Sequence, residues 1–247
     1  MGFLIDPYRF GVVPPPPTPA SAVEVWWAND IPQSNGSAVS SWIGRINGND
    51  AAQSTSLNRP TFSSSGVSSR PAVDFDGTND SLITNTLTNA TSGCVVMVFR
   101  PDAVNSDRVI WSSSSTSTTT RRLFGGIRPT GVVRMQQRND DTDMLLTGNT
   151  ALSAGAAVVV EWSTDGSVHT MRVNNSTQTI TVGAGSNDGD WFGDTSSRNN
   201  FVIGALITTS SGFFFDGAVA YLGVFDAPLS SGDRTDLYAW ITAIYGV

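Results

Sequence analysis

The chain contains no lysine, and that absence is the first constraint on its function. All 14 cationic side chains are arginines, scattered through 247 residues and outnumbered by 21 acids, for a formal net charge of −7. Gripping a nucleic-acid backbone takes a basic stripe that neutralises phosphates. The only adjacent cations are Arg121 and Arg122, so no nucleic-acid partner is expected. Glutamate is nearly missing as well: Glu24 and Glu161 stand against 19 aspartates. Lys, Glu and Gln furnish exposed helix faces, whereas Asp, Ser, Thr, Asn and Gly furnish turns and strand rims. Little helix is therefore expected. One cysteine, Cys94, rules out an internal disulfide framework. Within Cys94-Val95-Val96-Met97-Val98-Phe99 it reads as a buried strand thiol rather than a reactive one. No apolar run approaches the roughly 18 residues of a membrane span. The opening Met1-Gly2-Phe3-Leu4-Ile5-Asp6 lacks the basic and continuous apolar segments of a secretory leader, so synthesis in a host cytoplasm is the expectation.

What is present falls into two unlike parts. Residues 1–20 carry Phe3, Leu4, Ile5, Tyr8 and Phe10, followed by Pro14-Pro15-Pro16-Pro17, a stiff polyproline II spacer ending near Pro19. An apolar decapeptide on a rod makes a poor free tail. Two readings stand open: it folds back on its own domain, or the rod holds it off the body as an anchor that docks into a partner. From residue 21 to 247 the text is short apolar or alternating runs between Gly, Asn, Asp and Ser clusters, the all-β pattern. Strands are predicted at 72–75, 94–100, 108–111, 123–127, 132–138, 156–162, 168–173, 178–182, 201–207 and 218–225. Asn174-Asn175 reads as a tight hairpin turn, and the polar run 112–120 as an exposed loop. Ser230-Ser231-Gly232-Asp233 offers an N-cap, and Leu237, Trp240, Ile241 and Ile244 then give one apolar face of a short helix.

A Phe-Asp-Gly triplet occurs twice, at Phe75-Asp76-Gly77 and Phe215-Asp216-Gly217. In the first, alternation points Val73 and Phe75 inward and Asp74 outward. Gly77 lets the backbone reverse, and the Asp76 carboxylate accepts turn amides. Both triplets read as strand-to-turn junctions. Taken in order, Val25-Trp26-Trp27-Ala28, Gly36-Ser37-Ala38-Val39-Ser40-Ser41-Trp42, Arg59-Pro60-Thr61-Phe62 and the two triplet segments resemble the concanavalin A-like, laminin-G-type jelly-roll domains of phage and bacterial surface proteins. The resemblance spans roughly residues 22–245. It implies an all-β, two-sheet antiparallel jelly-roll sandwich with a short C-terminal helix and an extended N-terminal arm. The fold hosts lectins, hydrolases and purely structural modules alike, so it specifies no ligand.

Catalytic constellations are hard to assemble from this inventory. A Ser-His-Asp or Cys-His nucleophile needs a histidine, and the one present, His169, sits in an alternating strand as a half-buried or exposed residue. Zinc lacks the usual ligands. Glycoside hydrolysis needs two facing carboxylates, and neither Glu24 nor Glu161 sits in the Glu-x-Asp-x-x-Glu pattern of hydrolases of this fold. A pair of aspartates would be the remaining way to build such a centre, and no enzyme is expected. Calcium takes hard oxygen ligands, for which the candidates are Asp140, Asp141 and Asp143, and the loop Asp188-Gly189-Asp190 with Asp194; otherwise no cofactor is implied. Trp191 is placed either to stack on a sugar ring, with Asp190 and Asp194 beside it as glycan-binding residues, or to staple its loop to the sheet.

Three functions follow as expectations. The first is a bacteriophage virion structural protein, a capsid decoration, head-fibre or tail-fibre module. It would be multicopy or homo-oligomeric, docked on other virion proteins through Phe3, Leu4, Ile5, Tyr8 and Phe10, and displaying a sandwich able to bind host-surface carbohydrate. The second is a secreted or cell-surface carbohydrate-binding module without a virion role. The third and weakest is a glycoside hydrolase.

Overall fold

The computed structural model describes residues 13–247. The predicted docking residues Phe3, Leu4, Ile5, Tyr8 and Phe10 therefore lie outside the described residues. Two antiparallel sheets form a sandwich. The first has eight strands, in the order Ser176–Thr177, His169–Val173, Val158–Thr164, Gly93–Pro101, Asp216–Phe225, Arg70–Asp76 and Thr61–Val67, with Ala22–Trp27 also pairing to Asp216–Phe225. The second has nine, running Thr181–Ala184, Thr142–Ala151, Val132–Asn139, Arg121–Ile127, Arg108–Ser114, Phe201–Ile203, Leu82–Thr84, Ala51–Ala52 and Ser41–Trp42. A hairpin of Leu206–Ile207 and Ser211–Gly212 stands apart from both. The all-β jelly-roll expectation holds, as does the C-terminal helix.

The central strands of the first sheet, Gly93–Pro101, Val158–Thr164 and Asp216–Phe225, are buried on both faces. Val95, Met97, Phe99, Val160 and Trp162 pack into the space between the sheets. Their neighbours Cys94, Val96, Val98 and Val159 pack the other way, against Leu237, Trp240, Ile241 and Ile244 of the helix Ser231–Tyr245. Two-sided burial explains why this strand text runs apolar without alternation. Burial also pushes the Cys94 thiol well above its ordinary pKa, leaving it inert. The helix begins where expected: the Ser230 hydroxyl accepts from the Asp233 amide at 3.1 Å, and Gly246 closes it with φ of 74°.

Both glutamates of the chain serve as internal anchors. Glu161 lies under the helix, accepting from Arg234 Nη2 at 2.8 Å and Nε at 3.1 Å and from the Tyr238 hydroxyl at 3.2 Å. Glu24 accepts the amides of Ile46 at 2.7 Å and Asn49 at 2.9 Å, holding the loop after Trp42. A buried carboxylate is tolerable only when so thoroughly partnered.

Several expectations need correction. The polyproline spacer does not stand off the body: Pro16 and Pro19 are buried, and Trp240 Nε1 donates to the Pro14 carbonyl at 2.9 Å. Ser112, Ser113, Ser114 and Ser115 are buried rather than looped out. Their hydroxyls have partners inside, with Ser112 donating to the Ala205 carbonyl at 2.7 Å and Ser113 to that of Asn200 at 2.6 Å, which removes the cost of burying them. The ten-residue strand Thr142–Ala151 was not expected, because its acidic start and Thr-Gly-Asn stretch imitate a loop. The strand predicted at 178–182 shrinks to Thr181–Ala184, and that at 201–207 breaks after Ile203.

The two Phe-Asp-Gly triplets turn out to be partners. Asp76 faces Asp216, and Phe75 faces Gly217, across one antiparallel ladder. Asp76 ends its strand as expected, its carboxylate accepting the Thr78 amide at 2.8 Å. The second triplet instead starts a strand: Asp216 is the first residue of Asp216–Phe225. The Phe75 and Phe215 rings lie 6.2 Å apart beneath the junction. Gly217 adopts φ of 146°, and a Cβ there would sit 2.2 Å from the Arg100 carbonyl oxygen. Gly36 also has positive φ, 83°, but open space around it. Gly217→Ala should therefore cost at least ~2 kcal/mol more than Gly36→Ala, from overpacking against backbone. Urea denaturation of the two variants measures this, and equal losses would refute the close approach.

Candidate ligand-binding face

The sequence candidates for glycan contact do not form an open platform. Trp191 is 0% exposed, its ring set against Trp111 at 6.0 Å and Phe192 at 4.9 Å. This corrects the sugar-stacking alternative in favour of the staple: a ring with no exposed face cannot stack on a ligand. The Asp194 carboxylate accepts the Trp191 amide at 2.9 Å, fixing the same loop from within. Asp190 is part-exposed, and burial raises its pKa, with Asp188 and Asp194 adding repulsion.

The calcium candidates are likewise divided. Asp140 is taken by Arg121, with Nη2 at 2.9 Å from Oδ2 and Nε at 3.0 Å from Oδ1. Asp141 is exposed on the turn, and Asp143 accepts from Gln136 Nε2 at 3.0 Å on the strand beyond. Asp143 does meet Asp188 and Asp190, residues from the other predicted loop, around a small cleft of about 70 Å³. Among the described residues, however, no group of three His, Cys, Asp or Glu side chains is arranged to hold a metal ion.

His169 is more deeply placed than expected, 1% exposed and 6.1 Å from the Trp191 ring. Neither ring nitrogen has a hydrogen-bond partner among the described residues. Burial pushes its pKa down to about 4, and the opposing pull of the Asp188 and Asp165 carboxylates does not offset this.

A site that sequence reasoning missed lies on the outer face of the nine-stranded sheet. Alternation sends Leu123, Val133 and Met135 inward to the core and their neighbours outward. Register then sets Arg122 opposite Arg138, Phe124 opposite Gln136, and Gly126 opposite Arg134, with Asp143 beyond Arg138. Arginines separated in sequence thus gather on one face of an acidic protein. The Leu206–Ile207 hairpin is tied down over this face: Leu206 packs on Val109 and Phe124, and the Ser114 hydroxyl donates to the Ile207 carbonyl. Beside the hairpin opens a cavity of about 260 Å³, lined by Thr119, Arg122, Thr208, Ser210, Ser211 and Phe213 among others. Phe213 is 51% exposed. Its ring and that of Phe124 flank the Arg134 guanidinium, 5.9 and 4.8 Å from the guanidinium carbon. A larger cleft of about 470 Å³ lies between the helix and the Asn174-Asn175 turn, lined by small and polar residues with no charged side chain.

No protein-family model matches the chain, and no curated protein matches it. Solved structures do. The carbohydrate-binding module CBM40 of the Ruminococcus gnavus IT-sialidase, bound to α2,3-sialyllactose, is similar at a TM-score of 0.53 and 17% identity, over 61% of this chain and 82% of that one. The K499G mutant of the NanB sialidase from Streptococcus pneumoniae gives 0.53 at 16%, over 66% of this chain and 27% of that one. The leech intramolecular trans-sialidase gives 0.52 at 14%, over 61% and 23%. What they share with this chain is the fold.

The buried imidazole makes a pH prediction. A histidine whose folded pKa lies below its unfolded value of about 6.5 stabilises the fold fully above that pH and loses the contribution as pH falls towards 4. Between pH 7 and pH 4 the wild type should lose on the order of 3 kcal/mol more than His169→Gln. Urea midpoints at the two pH values test it, and parallel losses would show that the imidazole is not held neutral.

Proposed function

We propose that this chain is a lectin-like carbohydrate-binding module whose ligand lies on the outer face of the nine-stranded sheet, in the cavity beside Phe213. The observation that carries the reading is the make-up of that cavity. Thr119, Thr208, Ser210, Ser211 and Arg122 are among the residues that line it, together with the half-exposed Phe213. Sugars are bound by such a mixture, an apolar ring surface with a few directed polar groups. The fold shared with a sialyllactose-bound carbohydrate-binding module supports the same reading. Binding is favoured over hydrolysis because Glu24 and Glu161, the two glutamates, are buried and fully engaged in holding the structure. The virion role rests on the apolar N-terminal segment and its resemblance alone; the likenesses to sialidase modules lend it no support.

A glycan array read with wild type and Phe213→Ala tests the proposal. Wild type should bind a defined set of glycans, and Phe213→Ala should weaken that binding about tenfold, equivalent to ~1.4 kcal/mol. Trp191→Ala, by contrast, should act through stability rather than through contact. A wild type that binds no glycan, or a Phe213→Ala variant that binds undiminished, removes the assignment.

A further inference from the structure

We infer that the glycan taken by this face carries an anionic group, a carboxylate or a sulfate, which is received by the free edge of Arg134 with Arg122 beside it. This rests on the carbohydrate reading above and adds the ligand's charge to it. Arg134 is 4% exposed. Its Nη1 lies 3.0 Å from Asp107 Oδ1, an ion pair by distance on that side of the guanidinium. The opposite edge, Nε and Nη2, is buried with no partner among the described residues. Those two N–H groups form the fork that accepts a carboxylate or sulfate in bidentate fashion. Unpaired buried donors are costly, and an anion received on this edge would offset that cost.

The surroundings point the same way. Arg122 also has a buried Nε without a partner, while its Nη1 donates to the Thr119 carbonyl at 2.9 Å. Arg138 faces it across the ladder, and Arg128 approaches Asp107 at 3.9 Å. Four guanidinium groups therefore share a face with the two carboxylates of Asp107 and Asp143. Burial is the main cause lowering the Arg134 pKa to about 10, with repulsion from Arg128 and Arg122 adding to it, so it remains a cation at neutral pH. One added negative charge would relieve this repulsion.

Access is controlled by Phe213. Its backbone is held at φ of 55°, a conformation costly for a bulky residue and characteristic of ligand clamps. Its carbonyl accepts the Val109 amide at 2.8 Å, so the main chain is pinned. Arg134 does not itself line the cavity that Arg122 and Phe213 border, so the half-exposed Phe213 ring must swing off the guanidinium when the anion enters.

Calorimetric titration with matched pairs, α2,3-sialyllactose against lactose and galactose 6-sulfate against galactose, tests the inference. The acidic member should bind at least tenfold more tightly, and 0.5 M salt should weaken only that member. Arg134→Gln and Arg122→Gln should bring the ratio of acidic to neutral affinity down towards one, whatever each does to neutral binding itself. Phe213→Ala removes no charge and should keep the preference, which guards against variants that fail to fold. Equal affinity for both members of each pair overturns the inference and leaves the carbohydrate function standing. NMR of arginine Nε–Hε groups in wild type, titrated with sodium acetate and sodium sulfate, separates the remaining outcomes. No sugar binding with a shifted Arg134 resonance would overturn the carbohydrate function but uphold the anion site; no sugar binding and no shift overturns both.

Discussion

The strand Asp216–Phe225 is the element on which the rest of the structure depends. It is hydrogen-bonded to Gly93–Pro101, to Arg70–Asp76 and to Ala22–Trp27, so it ties together segments from near both ends of the described chain. It is buried along nearly its whole length, with the sandwich core on one face and the C-terminal helix on the other. The strand's start is set by Gly217, whose conformation lets Asp216 sit against Asp76. The hairpin that roofs the candidate ligand-binding face leads directly into this start. The position of Phe213 over Arg134 is therefore inherited from the register of a core strand, and a face built on such a strand is better preorganised than one on a free loop.

Charge is distributed with the same economy. A chain with a net charge of −7 spends its two glutamates inside, on the helix and on the loop after Trp42, and pairs Asp140 with Arg121 at the rim. What remains is a local excess of arginine on the outer face of the nine-stranded sheet. Overall acidity and a local excess of arginine are compatible, because Asp140 is paired with Arg121 and Glu161 with Arg234, while among the described residues Arg122 Nε and Arg134 Nε and Nη2 have no hydrogen-bond partner. Electrostatic attraction confined to one face orients a ligand rather than merely concentrating it.

Much of the fold was legible in the residues, and the reasons are local. Ser230 followed by Asp233 and the Leu237, Trp240, Ile241, Ile244 spacing specify a capped amphipathic helix without tertiary help. Asn174-Asn175 both take positive φ, as a tight hairpin turn demands. The failures share one cause. Ser112 to Ser115 look like a loop because hydroxyls are usually wet, yet partners from the 200–207 segment make their burial cheap. Trp191 looks like a ligand platform because loop tryptophans often are, yet Trp111 and Phe192 close over it. In each case a deciding partner, Ala205 and Asn200 for the serines and Trp111 for Trp191, lies dozens of residues away, where no window of sequence reaches.

The candidate site was illegible for the same reason. Arg122, Arg134 and Arg138 show no spacing that marks a motif. They become neighbours because antiparallel pairing folds residue 122 onto 138 and 126 onto 134, and because strand alternation turns all of them outward. By itself the sequence determined the all-β class and the helix with its cap, since composition, caps and turn residues act within a few positions. Only the tertiary structure decided that the two Phe-Asp-Gly triplets are one junction, that the polyproline segment lies along the body, and that the Phe124 and Phe213 rings flank the Arg134 guanidinium. Those are consequences of register, and register is settled by which distant strands exclude water from one another.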